Sequence, residues 1–422
     1  MHKAGVPIAP TAAQEWRVNW LLVVSAMAGV SLGTIPSATL GLFMAPLQDE
    51  FGWSRTEISA GLTLFAIVSL PLTPFAGMLV DKFGARRVAI PGIALSALVF
   101  ASFSSLGAFA GQWLVLWFAY TLVSLLTRTL VWNSAISRAF VTSRGLAIAV
   151  LLCGTAIASS LSPIVSQQLI DQFGWRFAYL GLGLGWGGVA LLMVLLFFRE
   201  RPPMLVPGAG QGALQGAAAK PGGLSLKQAM RDPAMVRIAL AIFLQSTMVV
   251  AVMVHLVPML TATGLSRVEA AGLAGLMGIA SICGKLASGW LIDRFTGGLL
   301  AALTFAAPAL GYLFLLKAAD TAWLIPVAVV VLGYSSGACL QLATYLTTRY
   351  AGLRNFGAIF GVISSLMALS TGLGPLMAGF IFDRTGSYTL LLTIGIPAAL
   401  VAGIAVFRLG PYPVFEDMPD KS

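Results

Sequence analysis

Gly52-Trp53-Ser54-Arg55-Thr56-Glu57 returns as Gly264-Leu265-Ser266-Arg267-Val268-Glu269, 212 residues later. Working outward at that offset, Pro46 falls on Pro258, Gly77 on Gly289, Asp81 on Asp293 and Lys82 on Arg294. Gly145 falls on Gly357, Pro163 on Pro375, Asp171 on Asp383 and Gly174 on Gly386. Turn and cap residues that keep one register over such a length mark an internal repeat. Between these markers the chain is apolar. Of its 422 residues, 58% are hydrophobic and 9% charged, where a soluble domain carries about a quarter charged. A helix needs about 20 apolar residues to cross a bilayer. Twelve runs qualify: 18–44, 57–80, 87–108, 112–136, 145–169, 177–198, 236–260, 270–292, 297–316, 322–347, 356–381 and 388–407. Six per repeat is an even number, so both repeats enter from the same side and are parallel copies about an axis along the membrane normal. The predicted fold class is an all-α membrane protein: twelve transmembrane helices in two pseudo-symmetric six-helix bundles. Residues 1–198 and 236–422 form the bundles. Residues 199–235, with the Gly/Ala/Gln-rich run GAGQGALQGAAAKPGG, form a cytoplasmic linker.

The net charge of +10 does not point to nucleic acid, because the cations stand singly or in pairs between apolar runs. With the N-terminus inside, 18 Lys and Arg fall on inner segments and 5 on outer loops. That bias predicts both termini in the cytoplasm and a multi-pass protein of the inner (plasma) membrane. No basic leader with a short apolar core is present, so no cleavable signal peptide is expected. Cys153, Cys283 and Cys339 all lie in apolar runs and give neither a disulfide framework nor zinc spacing. Gly29-Val-Ser31-Leu-Gly33 and Gly183-Leu-Gly185-Trp-Gly-Gly188 match enzyme and dinucleotide patterns, yet both sit inside apolar spans with no strand beside them. No enzyme activity, cofactor or metal is expected, and with no P-loop, ATP is not the energy source. The lipid bilayer is the expected partner, and the protein is expected to be a monomer.

Gly77-Met-Leu-Val-Asp81-Lys82-Phe-Gly84-Ala-Arg86-Arg87 resembles the loop 2–3 motif of the major facilitator superfamily, with a degenerate copy at Gly289–Arg294. The resemblance covers the whole chain: twelve spans, a 6+6 repeat and a long central loop. It implies that Gly77, Asp81, Arg86, Arg87, Gly289, Asp293 and Arg294 act as a conformational latch rather than touch substrate. Asp49-Glu-Phe-Gly-Trp-Ser-Arg55, Arg144-Gly-Leu-Ala-Ile-Ala, Phe173-Gly-Trp-Arg176, His255-Leu-Val-Pro258 and Gly284-Lys285-Leu286 are similar to stretches of the bacterial monocarboxylate transporter and oxalate:formate antiporter branch.

All fifteen acidic residues lie in tails, loops or span ends. Two basic residues do not: Arg128 in span 4 and Lys285 in span 8. Arg128 lies about 15 Å deeper than Arg138, and Lys285 about 12 Å deeper than Asp293. A charge at the bilayer centre costs about 2.5–3.5 kcal/mol, so such residues usually face a cavity. Two fixed cations with no deep carboxylate should attract an anion. Arg128 can grip a carboxylate through two parallel hydrogen bonds, and Lys285 acts as a point charge. The resemblance implies that the basic residue of span 8 binds the substrate carboxylate. Gln245, Tyr334, Thr34 and Ser37 are candidates to complete the site, and His255 reads as a packed residue near a helix end. Where the animal relatives carry a Lys after the span 1 proline and an Asp one turn before the span 8 cation, this chain has Ser37 and Ser281. The expected function is secondary active transport of small organic anions, a monocarboxylate or related carboxylate, by alternating access, as proton-coupled symport or anion exchange. Efflux of drugs or other lipophilic compounds is one competing reading; it calls for a deep carboxylate. A non-transporting membrane sensor on the same fold is the other; it calls for an added signalling segment.

Overall fold

A computed structural model describes residues 11–140, 142–199, 223–294, 298–318, 321–352, 354–407, 409–410 and 412–413. Among the described residues the chain is almost wholly helical, with one isolated antiparallel bridge, Gly223 to Gly352. Span 1 is α1 (Ala12–Leu32) and α2 (Ile35–Phe51), joined at Gly33-Thr34. Spans 2 and 3 are α3 (Arg55–Phe83) and α4 (Ala85–Ser102). Span 4 is α5 (Ala110–Ser124) and α6 (Thr129–Ala139). Spans 5 and 6 form one stretch, α7 (Arg144–Leu180), a π-helical segment and α8 (Gly187–Phe197). A short α9 (Leu226–Ala229) precedes α10 (Pro233–Thr261) and α11 (Arg267–Arg294), which are spans 7 and 8. Span 9 is α12 (Gly298–Ala306) and α13 (Pro308–Leu316), and spans 10 to 12 are α14 (Leu324–Ala351), α15 (Phe356–Thr385) and α16 (Thr389–Val406).

Eleven helical stretches among the described residues are long and apolar enough to cross a membrane. One of them, Leu146–Phe197, has 52 residues and crosses twice, because it breaks at Gly174 (φ 82, ψ 164). A Cβ on Gly181 would lie 2.9 Å from Leu169 Cδ1. In a straight helix those residues would stand about 18 Å apart, so the chain turns back. Among the described residues the count is therefore twelve crossings. Gly174 occupies a backbone region that only glycine enters freely. Gly174→Ala is expected to cost about 1–3 kcal/mol, read as a lower melting temperature of the purified protein.

The repeat survives folding. Ser54 and Ser266 both cap the next helix while Glu57 and Glu269 reach back to them. Gly52, Gly264, Gly174 and Gly386 all have positive φ. Span 7 starts at Pro233 rather than 236. Asp232 accepts from the Met235 N–H at 3.0 Å and Pro233 takes the first helical position, where its missing N–H is harmless. Residues 233–235, expected in the linker, are its first turn.

Two faces are defined by what the span ends bond. On the terminal face, where span 1 begins and span 12 ends, Glu15 accepts from the Thr142 and Ser143 amides at 2.9 Å each. There Arg237 donates to the Ala405 and Phe407 carbonyls, and Asn355 to Leu224. On the opposite, distal face, Glu50 pairs with Arg176 and accepts from Trp175, and Trp53 donates to the Ala108 carbonyl. Large apolar side chains such as Leu98, Val115, Leu192 and Ile404 remain exposed on the outside of the bundle, as lipid-facing residues do in a multi-pass membrane protein.

Candidate functional site

Span 4 reads as one run, but the structure breaks it. After α5 comes a single 3-10 turn, Leu125–Thr127, then Arg128 in extended conformation (φ −59, ψ 152), then α6. The local sequence supplies partners for the interrupted backbone. Thr121 bonds Trp117, Ser124 bonds Thr121 and Thr127 bonds Ser124, each hydroxyl donating to a carbonyl of its own helix. The Trp132 indole then donates to the Thr127 carbonyl at 2.8 Å. Broken helices are tolerated within a membrane when side chains satisfy the freed groups in this way.

The break places Arg128 at the N-cap of α6, ten residues before Arg138, or about 15 Å along the helix. The Val131 amide bonds the Arg128 carbonyl at 2.9 Å; the Thr129 and Leu130 amides before it have no intrahelical acceptors, and the dipole of α6 points its positive end there. The guanidinium lies 4.9 Å from the centroid of the Phe65 ring on span 2. Its Nε and Nη2 are buried without hydrogen-bond partners. Tyr120, fully buried on the same span, is the titratable neighbour that acts on it through space. Among the described residues no carboxylate pairs with Arg128. A cation, a helix N-terminus and unused donors thus share one position.

Lys285 is half-buried on span 8, and Cys153 on span 5 is its titratable neighbour. Its backbone is fixed by two close crossings between spans 8 and 10. A Cβ on Gly284 would fall 2.2 Å from the Tyr334 carbonyl oxygen, and one on Gly337 2.0 Å from that of Ser281. Tyr334 therefore takes part first through its main chain. Gln245 is 2% exposed; it donates to the Ser335 carbonyl at 3.3 Å, while its Oε1 has no partner. It lines a cavity of about 230 Å³ with Ser246, Ser336, Cys339, Met367 and Thr371. A smaller cavity of about 50 Å³ lies between the halves, lined by Ala38, Ser159, Pro163, Met253, Ser281 and Ser336 among others. Ser336 borders both. Ser37 precedes Ala38 of the smaller cavity and donates to the Thr34 carbonyl at 3.0 Å, so its hydroxyl is engaged within span 1 and Thr34 enters that bond through its main chain. Neither Arg128 nor Lys285 lines these two cavities.

Of the latch residues, Arg86 donates to the carbonyls of Leu195 and Phe198 at the end of span 6, at 2.9 and 2.8 Å. Arg87 is exposed. The side chains of Gly77, Asp81, Gly289, Asp293 and Arg294 lie outside the described residues.

Sequence reasoning missed the distal seam between the halves. Asp383, at the end of span 11, accepts from the Arg55 and Thr56 amides at 3.1 and 2.8 Å and from the Thr56 hydroxyl. It therefore caps span 2 from the other half of the protein. Arg55 lies 3.5 Å above the Phe382 ring and donates to the Tyr388 hydroxyl. His255 does more than pack: it is fully buried and bonds Ser59, Tyr388 and the Pro375 carbonyl. Deeper in, Thr63 donates to the Gly372 carbonyl at 2.8 Å. The repeat held one clue, since Asp171 matches Asp383. Asp171, however, accepts from Gln167 of its own helix.

A family model described as Major Facilitator Superfamily matches residues 20–375. Monocarboxylate transporter 11 of Homo sapiens is 29% identical over 416 residues, covering 90% of this chain and 83% of its own. Monocarboxylate transporter 13 of Bos taurus is 26% identical over 411 residues, with 93% and 89% covered. Among solved structures, a bacterial homolog of the human lysosomal transporter Spinster, inward-facing and unoccupied, superposes with a TM-score of 0.65 at 17% identity, over 94% of this chain and 95% of that one.

Proposed function

The chain belongs to the major facilitator superfamily and is a transporter rather than an enzyme; from that premise we propose that it carries small organic anions, carboxylates first, by secondary active transport. The observation that carries this reading is Arg128: a guanidinium in span 4 whose buried Nε and Nη2 have no partner, at the N-terminus of a broken helix. An anion with two oxygens fits such a group better than any neutral or cationic cargo. Lys285 supplies the second charge across the interface. Relatives named monocarboxylate transporters support the carboxylate class. The cavity at Gln245, about 230 Å³, falls below the roughly 300–1,000 Å³ of pockets for drug-sized ligands and suits a small solute. Gln245, Ser246, Ser336 and Thr371 are the polar groups of that cavity, which neither Arg128 nor Lys285 lines.

In this reading residues 1–198 and the half that begins with span 7 at Pro233 are the rocking bundles, and the segment between them is the cytoplasmic linker. The terminal face looks into the cell across the inner membrane, with both termini inside. The residues from Gly77 to Arg87 and from Gly289 to Arg294 latch that face when it closes. Energy comes from a proton gradient or from a counter-anion.

The test is uptake of labelled mono-, di- and aromatic carboxylates into proteoliposomes without ATP. A small carboxylate should be taken up when the vesicles are preloaded with the same anion or given a pH gradient. Uptake that depends on ATP hydrolysis, or that prefers lipophilic cations over every carboxylate, overturns the reading.

A further inference from the structure

We propose that His255 is a proton-binding site of the transport cycle, neutral while the distal face is closed and protonated once that face opens. The proposal rests on the alternating-access reading above. His255 sits on span 7 with no exposed surface. Its Nε2 is 3.0 Å from the Pro375 carbonyl oxygen and 3.2 Å from the Ser59 hydroxyl. Its Nδ1 is 2.8 Å from the Tyr388 hydroxyl.

These partners fix the tautomer. A carbonyl oxygen can only accept, so Nε2 carries the hydrogen. Nδ1 is then a lone pair, filled by the Tyr388 O–H. The Tyr388 oxygen in turn accepts from the Arg55 guanidinium, whose Nε donates to Gln48 at 3.2 Å. The chain runs Arg55 to Tyr388 to His255 to Pro375, crossing once between the halves, and Ser59 adds a second crossing. It is complete only when the distal ends are together.

A second proton on the imidazole breaks this order. Nδ1–H would then face a hydroxyl that already receives Arg55, leaving the Tyr388 hydrogen with no acceptor. It would also set a second cation beside Arg55 in a fully buried site. Asp383 is the nearby carboxylate, but its oxygens are taken by the Arg55 and Thr56 amides and the Thr56 hydroxyl. At the distal ends of α2 and α11, Asp49 faces Arg267, Glu50 faces Arg176 and Glu269 caps its own helix. Span 10 carries no charged residue before Arg349. Glu57, two residues before Ser59, accepts from the Ser54 amide and hydroxyl, Arg384 on span 11 adds only a cation, and span 12 from Thr389 to Val406 is uncharged, so each described carboxylate at this end already has a partner.

When the distal face opens, Ser59 leaves with the other half, water reaches the ring, and the second proton becomes tolerable. A solvated imidazole titrates near pH 6.5. Opening is therefore linked to the uptake of one proton from the distal solution. The sign follows: the closed state binds fewer protons, so its share falls as pH falls, about tenfold for each unit below the open-state midpoint. Acid on the distal side holds that face open, and neutral solution lets it shut.

The experiment uses the full chain in nanodiscs, with Cys153, Cys283 and Cys339 replaced by Ser and spin labels at Ala108→Cys and Ala262→Cys across the distal mouth. Distances are recorded from pH 8 to pH 5. The parent should gain a longer-distance population on acidification, roughly tenfold between pH 7.5 and 5.5. His255→Gln, whose amide can donate to Pro375 and accept from Tyr388 but cannot titrate, should lose that dependence. Tyr388→Phe, which leaves the Nδ1 lone pair without its O–H donor, should shrink it. An unchanged acid response in either variant overturns the proposal, as does a parent that ignores pH. Calorimetric titration of the same samples with a small carboxylate reports separately on the cargo. An acid-opened mouth without anion binding leaves the proton site standing and removes the anion.

Discussion

Replacing Arg128 with alanine is expected to abolish saturable carboxylate uptake and to weaken binding by two orders of magnitude or more. The guanidinium can offer two charge-assisted hydrogen bonds, each contributing about 1.5–3 kcal/mol, and 1.4 kcal/mol is a factor of ten in affinity. Arg128→Lys keeps the charge and loses the fork, so it should recover part of the binding and leave a clear deficit. Lys285→Ala should weaken binding by a smaller factor, because a point charge is lost while the fork remains. Stability separates this from misfolding. Arg128 has no carboxylate partner among the described residues and buries unpartnered nitrogens, so its removal relieves a desolvated cation. The melting temperature of Arg128→Ala should stay level or rise while anion binding disappears. Calorimetry and thermal unfolding on one preparation give both numbers. Unchanged affinity in the Arg128→Ala, Lys285→Ala double variant would assign the two cations to structure and the anion to uncharged groups.

The depth of Arg128 was legible because hydrophobicity and charge are counted along the chain, and a lone cation far from Arg138 stands out in any such count. Its backbone was not legible. Thr121, Ser124 and Thr127 look like small residues of an ordinary span, and their role in bonding the carbonyls before the break shows only in three dimensions. The repeat also carried much of the fold: Gly174 and Gly386 both turn the chain at positive φ, as their matched positions imply. What a repeat cannot carry is the seam between its copies. Asp383 reaches Thr56 from more than three hundred residues away, and its matched residue Asp171 bonds Gln167 instead. Equal sequence positions met unequal neighbours, because Asp383 lies against the start of span 2 in the other half while Asp171 bonds within its own helix.

Gly337→Val is expected to be the most damaging substitution that leaves every polar group in place. Spans 8 and 10 cross where Gly337 meets the Ser281 carbonyl oxygen, at 2.0 Å from a built Cβ, and where Gly284 meets that of Tyr334 at 2.2 Å. Both obstacles are main chain, which cannot rotate aside as a flexible side chain does. Small residues permit such approaches in membranes, where packing rather than water drives helices together. Overpacking a site of this kind costs about 1–3 kcal/mol, and a β-branched side chain should reach the upper end. Ser281 lies one turn before Lys285 on the same helix, so a displacement at Ser281 moves the Lys285 ammonium with it. Two readouts should therefore fall together: the melting temperature, and the affinity for a carboxylate even though Arg128 and Lys285 are both present. Gly361→Ala is the comparison, since a Cβ there meets nothing within 4 Å and alanine favours the helix. It should leave both readouts unchanged or slightly improved. If Gly337→Val lowers the melting temperature but spares the affinity, the crossing holds the fold alone and does not position Lys285.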